Sequence, residues 1–307
     1  MWWWSAVTLA VLALAVWPFR AERQKPDVTV EHRFRAEGEF AHLSQGITFY
    51  RWFGPARGPV AVVVHGLNAP SEGMHALAES LGELGYRVLV YDLYGRGLSD
   101  APKGLQDRAF FLRQLTDLCH VHDLREDITI VGYSMGGSIA TAFAIANPYI
   151  IKRVILLASA GVRTRESRFS GFCRRVPFLG DWLHLLFGAA RIGRRIPQDG
   201  VTREMDRIHR AQRKQLARRG FLPALLSSRR GMLSETQEQE HRQLGRKAIP
   251  VIAIWAQNDS VIPLRAIGLL AEWNRKARQE MIEDADHDLP YTHSKELTEA
   301  LRETLRD

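Results

Sequence analysis

The stretch Gly132-Tyr133-Ser134-Met135-Gly136-Gly137 constrains this chain more than any other. It sets a serine between glycines, straight after the apolar β-branched run Asp127-Ile128-Thr129-Ile130-Val131 and just before a helical pattern opening at Ser138-Ile139-Ala140. A strand that turns into a helix through one residue forces that residue into strained geometry, and side chains beside it would strike the strand and helix. The hydroxyl is then held at the tip of the turn. The N–H of Met135 and the new helix's N-terminus face any oxyanion that forms there. The plain alternative is a tight glycine-rich turn carrying a solvent-facing serine, so the rest of the chain has to supply partners.

The surrounding pattern alternates strands and helices. Val28–Phe34 and Ile47–Phe53 read as strands, and Val60–Val64 is a continuous apolar run of the kind covered on both faces. A helix is expected around Met74–Leu84, a strand at Arg87–Tyr91 and a helix near Ala109–His122. After the serine turn comes a buried strand, Arg153–Leu157. From about 162 to 247 the alternation stops, and the segments are helix-like and Arg-rich. It resumes with the strand Val251–Trp255, a helix over Leu264–Arg278, a short strand Glu280–Ile282 and a closing helix Lys295–Leu305. This is an α/β pattern: a mostly parallel sheet flanked by helices, with a helical lid inserted between two strands. The expected divisions are an apolar segment 1–25, a first core part 26–161, the lid 162–247 and a second core part 248–307.

A serine hydroxyl is a poor nucleophile at neutral pH and needs a base. His287, in Glu283-Asp284-Ala285-Asp286-His287-Asp288, lies between the last strand and the last helix, where the C-terminal ends of strands gather. Its imidazole needs an acid to fix the tautomer. Asp259 follows the strand Val251–Trp255 on the same sheet edge. Taken singly, the aspartate could cap a turn and the histidine could be a solvated loop residue. Their order, Ser134, Asp259, His287, favours the joint role. Asp284, Asp286 and Asp288 stand too close to His287 in sequence to hold its ring from behind. The second oxyanion donor is expected after Val60–Val64, in His65-Gly66-Leu67-Asn68, where the N–H of Leu67 would pair with that of Met135. His65 itself reads as a structural histidine bonded to neighbouring loops.

These segments, with Asp92-Leu93-Tyr94-Gly95-Arg96-Gly97-Leu98-Ser99 and Asn258-Asp259-Ser260-Val261-Ile262-Pro263, resemble the successive signatures of the α/β-hydrolase fold superfamily over about Gly46–Leu305. The elbow Gly-Tyr-Ser-Met-Gly-Gly and the apolar N-terminus also resemble the monoacylglycerol and lysophospholipid lipase branch. Carboxylesterases, meta-cleavage-product C–C hydrolases and cofactor-free perhydrolases carry similar elbows. The resemblance implies a serine hydrolase that cleaves carboxylic esters through an acyl-enzyme, and no cofactor. The alternatives are a C–C bond hydrolase and a ligand-sensing protein that retains the triad.

Composition narrows the setting. A chain of 307 residues with 46% hydrophobic and 25% charged residues folds rather than staying disordered. Cys119 and Cys173 lie far apart with no metal-like spacing, so neither a disulfide framework nor a zinc site is expected, and both read as buried small residues. The net charge of +8 is local: Val162–Lys247 holds 20 Lys and Arg against eight Asp and Glu. No nucleic-acid-binding module accompanies that charge, and no obligate protein partner is expected. In the lid, apolar residues such as Phe169, Phe172, Phe178 and Trp182 stand close to Arg174, Arg175, Arg191, Arg194 and Arg195. That mixture suits either anionic lipid headgroups or an apolar cover over the site whose arginines stay hydrated.

Trp2–Phe19 is an uncharged apolar stretch followed by Arg20, Arg23 and Lys25. As a helix it reaches about 27 Å, just under a hydrocarbon core, with tryptophans at both ends as in an interfacial belt. A signal peptide is the rival, since Ala13-Leu14-Ala15 resembles a cleavage site, and a surface-lying helix is another. No positive charge precedes the run. The charges follow it, which favours an uncleaved anchor with the catalytic body in the cytoplasm.

Overall fold

The computed structural model describes residues 2–198 and 202–305; residues 1, 199–201, 306 and 307, which fall within the expected anchor, lid and closing segment, lie outside that description. Eight strands form one sheet: β1 (Glu39–Leu43), β2 (Gly46–Phe53), β3 (Val60–Val64), β4 (Arg87–Tyr91), β5 (Ile128–Tyr133), β6 (Ile151–Leu157), β7 (Val251–Ala256) and β8 (Arg278–Ile282). Their order is β1-β2-β4-β3-β5-β6-β7-β8. β1–β2 and β2–β4 pair antiparallel, and every other pair is parallel.

The helices of the described chain are α1 (Trp2–Gln24), α2 (Val30–Phe34), α3 (His75–Glu83), α4 (Arg108–Val121), α5 (Met135–Ala146), α6 (Arg168–Arg175), α7 (Leu179–Gly193), α8 (Arg203–Leu216), α9 (Phe221–Arg230), α10 (Glu238–Arg246), α11 (Arg265–Trp273), α12 (Leu289–Thr292) and α13 (Ser294–Leu305). Alternate residues of β3 face opposite layers, as a pleated strand requires. Val62 and Val64 join Phe111, Leu115, Ile139, Phe143 and Leu270 of α4, α5 and α11. Ala61 and Val63 join Leu77, Leu81, Leu297 and Leu301 of α3 and α13. Both faces are therefore covered, and α6–α10 are interposed between β6 and β7.

Three elements depart from the expected pattern. Val28–Phe34 is not a strand: Val30–Phe34 is α2. Thr29 Oγ1 accepts from the N–H of His32 at 3.3 Å, and His32 Nδ1 accepts from the N–H of Thr29 at 3.2 Å, which closes a reciprocal cap. Val30 and Phe34 stay exposed, so their alternation buries no face. β1 carries no β-branched residue and escaped the reading. The helix expected over Leu264–Arg278 stops at Trp273, because Asn274 leaves helical geometry and Arg278 opens β8.

α1 is apolar, long enough to cross a membrane and almost wholly uncovered. Its C-terminal end is docked. Glu22 is buried, accepts the N–H of Gly220 at 2.8 Å and pairs with Lys25 at 2.8 Å. The N–H of Arg219 reaches the carbonyl of Pro26, and its guanidinium pairs with Asp27.

One contact follows from a single residue. Pro18 has no N–H, so the Leu14 carbonyl loses its usual helical partner four residues on. The indole Nε1 of Trp182 in α7 donates to that carbonyl at 3.0 Å. Trp182→Phe is expected to lower stability in detergent by about 1 kcal/mol. In a Pro18→Ala background the loss should shrink, because an alanine restores the missing N–H. A thermal-melt double-mutant cycle reads the difference.

Candidate active site

Ser134, Asp259 and His287 follow β5, β7 and β8 at the C-terminal edge of the sheet, where α/β folds gather their ligands. Ser134 sits at φ 52 and ψ −117, the left-handed geometry expected of the strand-to-helix turn. Its N–H donates to Leu157 O at 2.9 Å, and its carbonyl accepts from Gly137 and Ala160 at 3.0 Å each, so the strained turn is held from both sides.

The three side chains meet. Ser134 Oγ lies 2.9 Å from His287 Nε2, and Asp259 Oδ2 lies 2.9 Å from His287 Nδ1. With the proton on Nδ1 donated to the carboxylate, Nε2 accepts from the serine hydroxyl. Asp259 Oδ1 also accepts the N–H groups of Val261 and Ile262, both at 2.7 Å, which locks the carboxylate behind the ring.

Asp286 braces the histidine loop and does not hold the ring. Its Oδ1 accepts from the N–H of Ser260 at 2.8 Å and of His287 at 2.6 Å. Burial pushes its pKa up, but those two N–H groups together with the Ser260 hydroxyl and the nearby His287 charge turn the net shift downward. Tyr133 donates to the His287 carbonyl at 3.0 Å, while Tyr291 donates to Asp288 at 3.1 Å. Burial raises the Asp288 carboxyl and holds both phenols far above their ordinary range.

Leu67 follows β3, and Met135 is the first residue of α5. Two residues position the Leu67 loop. His65 is fully buried; its Nδ1 donates to Gly66 O at 2.7 Å, and its Nε2 accepts the N–H of Leu93 at 2.9 Å. In a trans peptide the carbonyl and N–H point opposite ways, so fixing Gly66 O also aims the Leu67 N–H. Burial lowers the His65 pKa to about 4, and with both nitrogens occupied it is a structural residue, as read from the sequence.

Arg96 was not singled out as a positioning residue. It is fully buried and donates to Leu67 O at 3.2 Å, Tyr94 O at 2.8 Å and Ser228 Oγ at 2.8 Å. Burial, with Arg218 nearby, brings its pKa down to about 9. The signal was present in Gly95-Arg96-Gly97, where glycines at positive φ let the chain wrap an arginine inward. Both cysteines are buried free thiols.

A cavity of about 920 Å³ opens beside His287, Asn68 and Val261. It is lined as well by residues of α6 to α9 and of the segments flanking α6 and α7, among them Phe169, Ile192, Ile196 and several arginines. Neither sequence reading of the lid, arginines on lipid headgroups or arginines merely hydrated above an apolar cover, anticipated arginines lining the cavity.

A mostly parallel sheet, a serine turn after β5 and an aspartate and a histidine past the ends of β7 and β8 define an α/β-hydrolase. The profile of the family described as "Serine aminopeptidase, S33" matches residues 55–291, and the chain belongs to that family. Among curated relatives, an uncharacterized protein of Mycobacterium tuberculosis is 26% identical over 249 residues, 75% of this chain and 70% of its own. Lipase 1 of Psychrobacter immobilis is 22% identical over 291 residues, 87% and 80% of the two chains. A 2-hydroxy-6-oxononadienedioate/2-hydroxy-6-oxononatrienedioate hydrolase of Paraburkholderia xenovorans is 26% identical over 249 residues, 76% and 82%. The solved structure of a membrane phospholipase A superposes with a TM-score of 0.71 at 17% identity, covering 98% of this chain and 95% of its own.

Proposed function

We propose that the protein is a membrane-anchored serine hydrolase that cleaves fatty-acyl esters, monoacylglycerol or lysophospholipid, through an acyl-enzyme. The observation that carries this reading is the hydrogen-bond chain Ser134–His287–Asp259, whose histidine lines the cavity. In the proposed mechanism Ser134 Oγ attacks the ester carbonyl carbon as its proton passes to His287 Nε2. The carbonyl oxygen, now an oxyanion, rests between the N–H groups of Leu67 and Met135. The tetrahedral intermediate collapses, the C–O bond breaks, and the alcohol leaves with the proton from His287. Water then attacks the acyl-enzyme by the same route and frees the acid. Asp259 holds the tautomer throughout. Helices α6–α10 serve as the lid, and no metal or cofactor takes part in the scheme.

The setting is part of the same reading. α1 spans the bilayer uncleaved, with Arg20, Arg23 and Lys25 on the cytoplasmic side beside the catalytic body. The bond from Trp182 of the insertion to the Leu14 carbonyl supports retention, since cleavage after Ala15 would remove that acceptor. Phe178, 86% exposed, and Leu179 form an apolar tip at the start of α7 suited to the lipid interface. The likeness to a lipase and to a membrane phospholipase A points the same way.

The likeness to a C–C hydrolase supports a second reading, hydrolysis of a ring-cleavage product. An acyl series from butyryl to oleoyl monoacylglycerols and lysophospholipids, on the full chain in detergent, separates the two. The expected result is a kcat/KM that climbs toward the long chains. Turnover of a vinylogous dienoate well above that of every ester would replace this function with the second.

A further inference from the structure

The cavity beside His287 is lined by five arginines against three carboxylates, Glu166, Asp286 and Asp288. Arg165, Arg191, Arg194 and Arg195 are exposed around it, and Arg229 of α9 is half-buried among its lining. Among the described residues none of these five guanidinium groups forms an ion pair with a carboxylate, whereas Arg174 and Arg230 nearby do, with Glu166 and Asp181.

The carboxylates that reach the cavity have other bonds. Glu166 is paired with Arg174 at 3.1 Å, Asp286 takes the N–H groups of Ser260 and His287, and Asp288 takes the Tyr291 hydroxyl. Arg191 is stacked over the Phe169 ring at 4.3 Å, which fixes its fork without using its N–H groups. Burial holds the Arg229 guanidinium below its ordinary pKa. Glu166 pulls it up, and Arg195 beside it pushes it down again. Arginine forks bind tetrahedral oxyanions with two parallel hydrogen bonds, so a phosphate group suits this wall and a neutral glycerol does not.

We propose that the arginine wall binds the negatively charged phosphate headgroup of a lysophospholipid while Ser134 attacks its acyl ester. This deepens the proposed ester hydrolysis and rests on it. The volume of about 920 Å³ accommodates a headgroup and glycerol. The apolar Phe169, Ile192 and Ile196 lie against the methylene groups that follow.

The test compares 1-oleoyl-lysophosphatidate with 1-monooleoylglycerol, presented to the full chain in the same nonionic mixed micelles, with p-nitrophenyl butyrate as a neutral reference ester. The native protein is expected to favour the lysophosphatidate in kcat/KM by about tenfold or more, the scale of one charge-assisted bidentate contact. Arg229→Gln, and separately the rim variant Arg194→Gln/Arg195→Gln, should erode that ratio by about tenfold through KM. The rim variant keeps the test open should Arg229→Gln fail to fold. An unchanged ratio in the rim variant, or a native preference for monooleoylglycerol, overturns the headgroup assignment while p-nitrophenyl butyrate turnover leaves the ester hydrolase standing. Competitive inhibition by inorganic phosphate without any preference for lysophosphatidate makes this a free-phosphate site and also overturns it. Absence of p-nitrophenyl butyrate turnover together with absence of all lipid turnover removes the underlying reading first.

Discussion

Ser134→Ala is expected to abolish labelling by a fluorophosphonate probe and to lower ester turnover by about a million-fold, the scale seen when a triad nucleophile is removed. The residual rate comes from the oxyanion donors and binding alone. Stability should hardly change. Ser134 has a positive φ that alanine must also adopt, and the turn is held by backbone bonds to Leu157, Gly137 and Ala160 that the substitution leaves in place. Side-chain loss removes only the hydroxyl's bond to His287 Nε2. A variant that melts like the native protein but no longer labels assigns the hydroxyl to chemistry and not to folding. Labelling that persists in Ser134→Ala moves the nucleophile elsewhere and takes the proposed mechanism with it.

Gly136→Ala is expected to produce the opposite pattern: a severe folding defect with no group removed. An added Cβ at Gly136 would lie 2.6 Å from the Val64 carbonyl carbon and 2.7 Å from His65 O, closer than the 3.0 Å that real Cβ atoms keep. Those neighbours are backbone atoms of β3 and of the loop that carries Leu67, so relief requires the sheet and helix to part. A loss of about 4 kcal/mol or more follows from strain of this kind. Gly268→Ala is the internal control. It is an exposed position in α11 where an added Cβ meets nothing within 4 Å, so the change should stabilise by about 1 kcal/mol. Denaturant melts of the two variants side by side check the contrast. A Gly136→Ala protein as stable as the native one would mean that β3 and α5 are not packed this closely.

The strand edges and the serine turn could be read in advance because their signals are local. Val60–Val64 is apolar along its whole length, and Gly132 and Gly136 flank the serine for a steric reason visible in six residues. The juxtaposition of Ser134, Asp259 and His287 was expected from their order along the chain after β5, β7 and β8, and the fold brings the three within hydrogen-bond reach. What escaped depends on contacts between distant segments. Val28–Phe34 looks like a strand until one sees that it has no neighbour to pair with and a capped turn at Thr29. Arg96 looks like a surface residue of a glycine-rich loop until Leu67, Gln106 and Ser228 close around it. The cavity arginines belong to an insertion without a recognised motif, and no short-range pattern tells which face of α7 or α9 turns inward.

Pro18 leaves a mark on how truncated forms of this protein behave. A chain shortened by its first 25 residues loses more than the anchor proposed for α1. The indole of Trp182 is left without its acceptor, and the turn between α8 and α9 loses the Glu22 carboxylate that accepted the Gly220 N–H. Both losses fall on the helices that wall the cavity, so the shortened form would carry a slackened wall. Kinetics measured on it would mix two effects, loss of the proposed anchor and altered grip on substrate. Trp182→Phe in the full-length chain isolates the second.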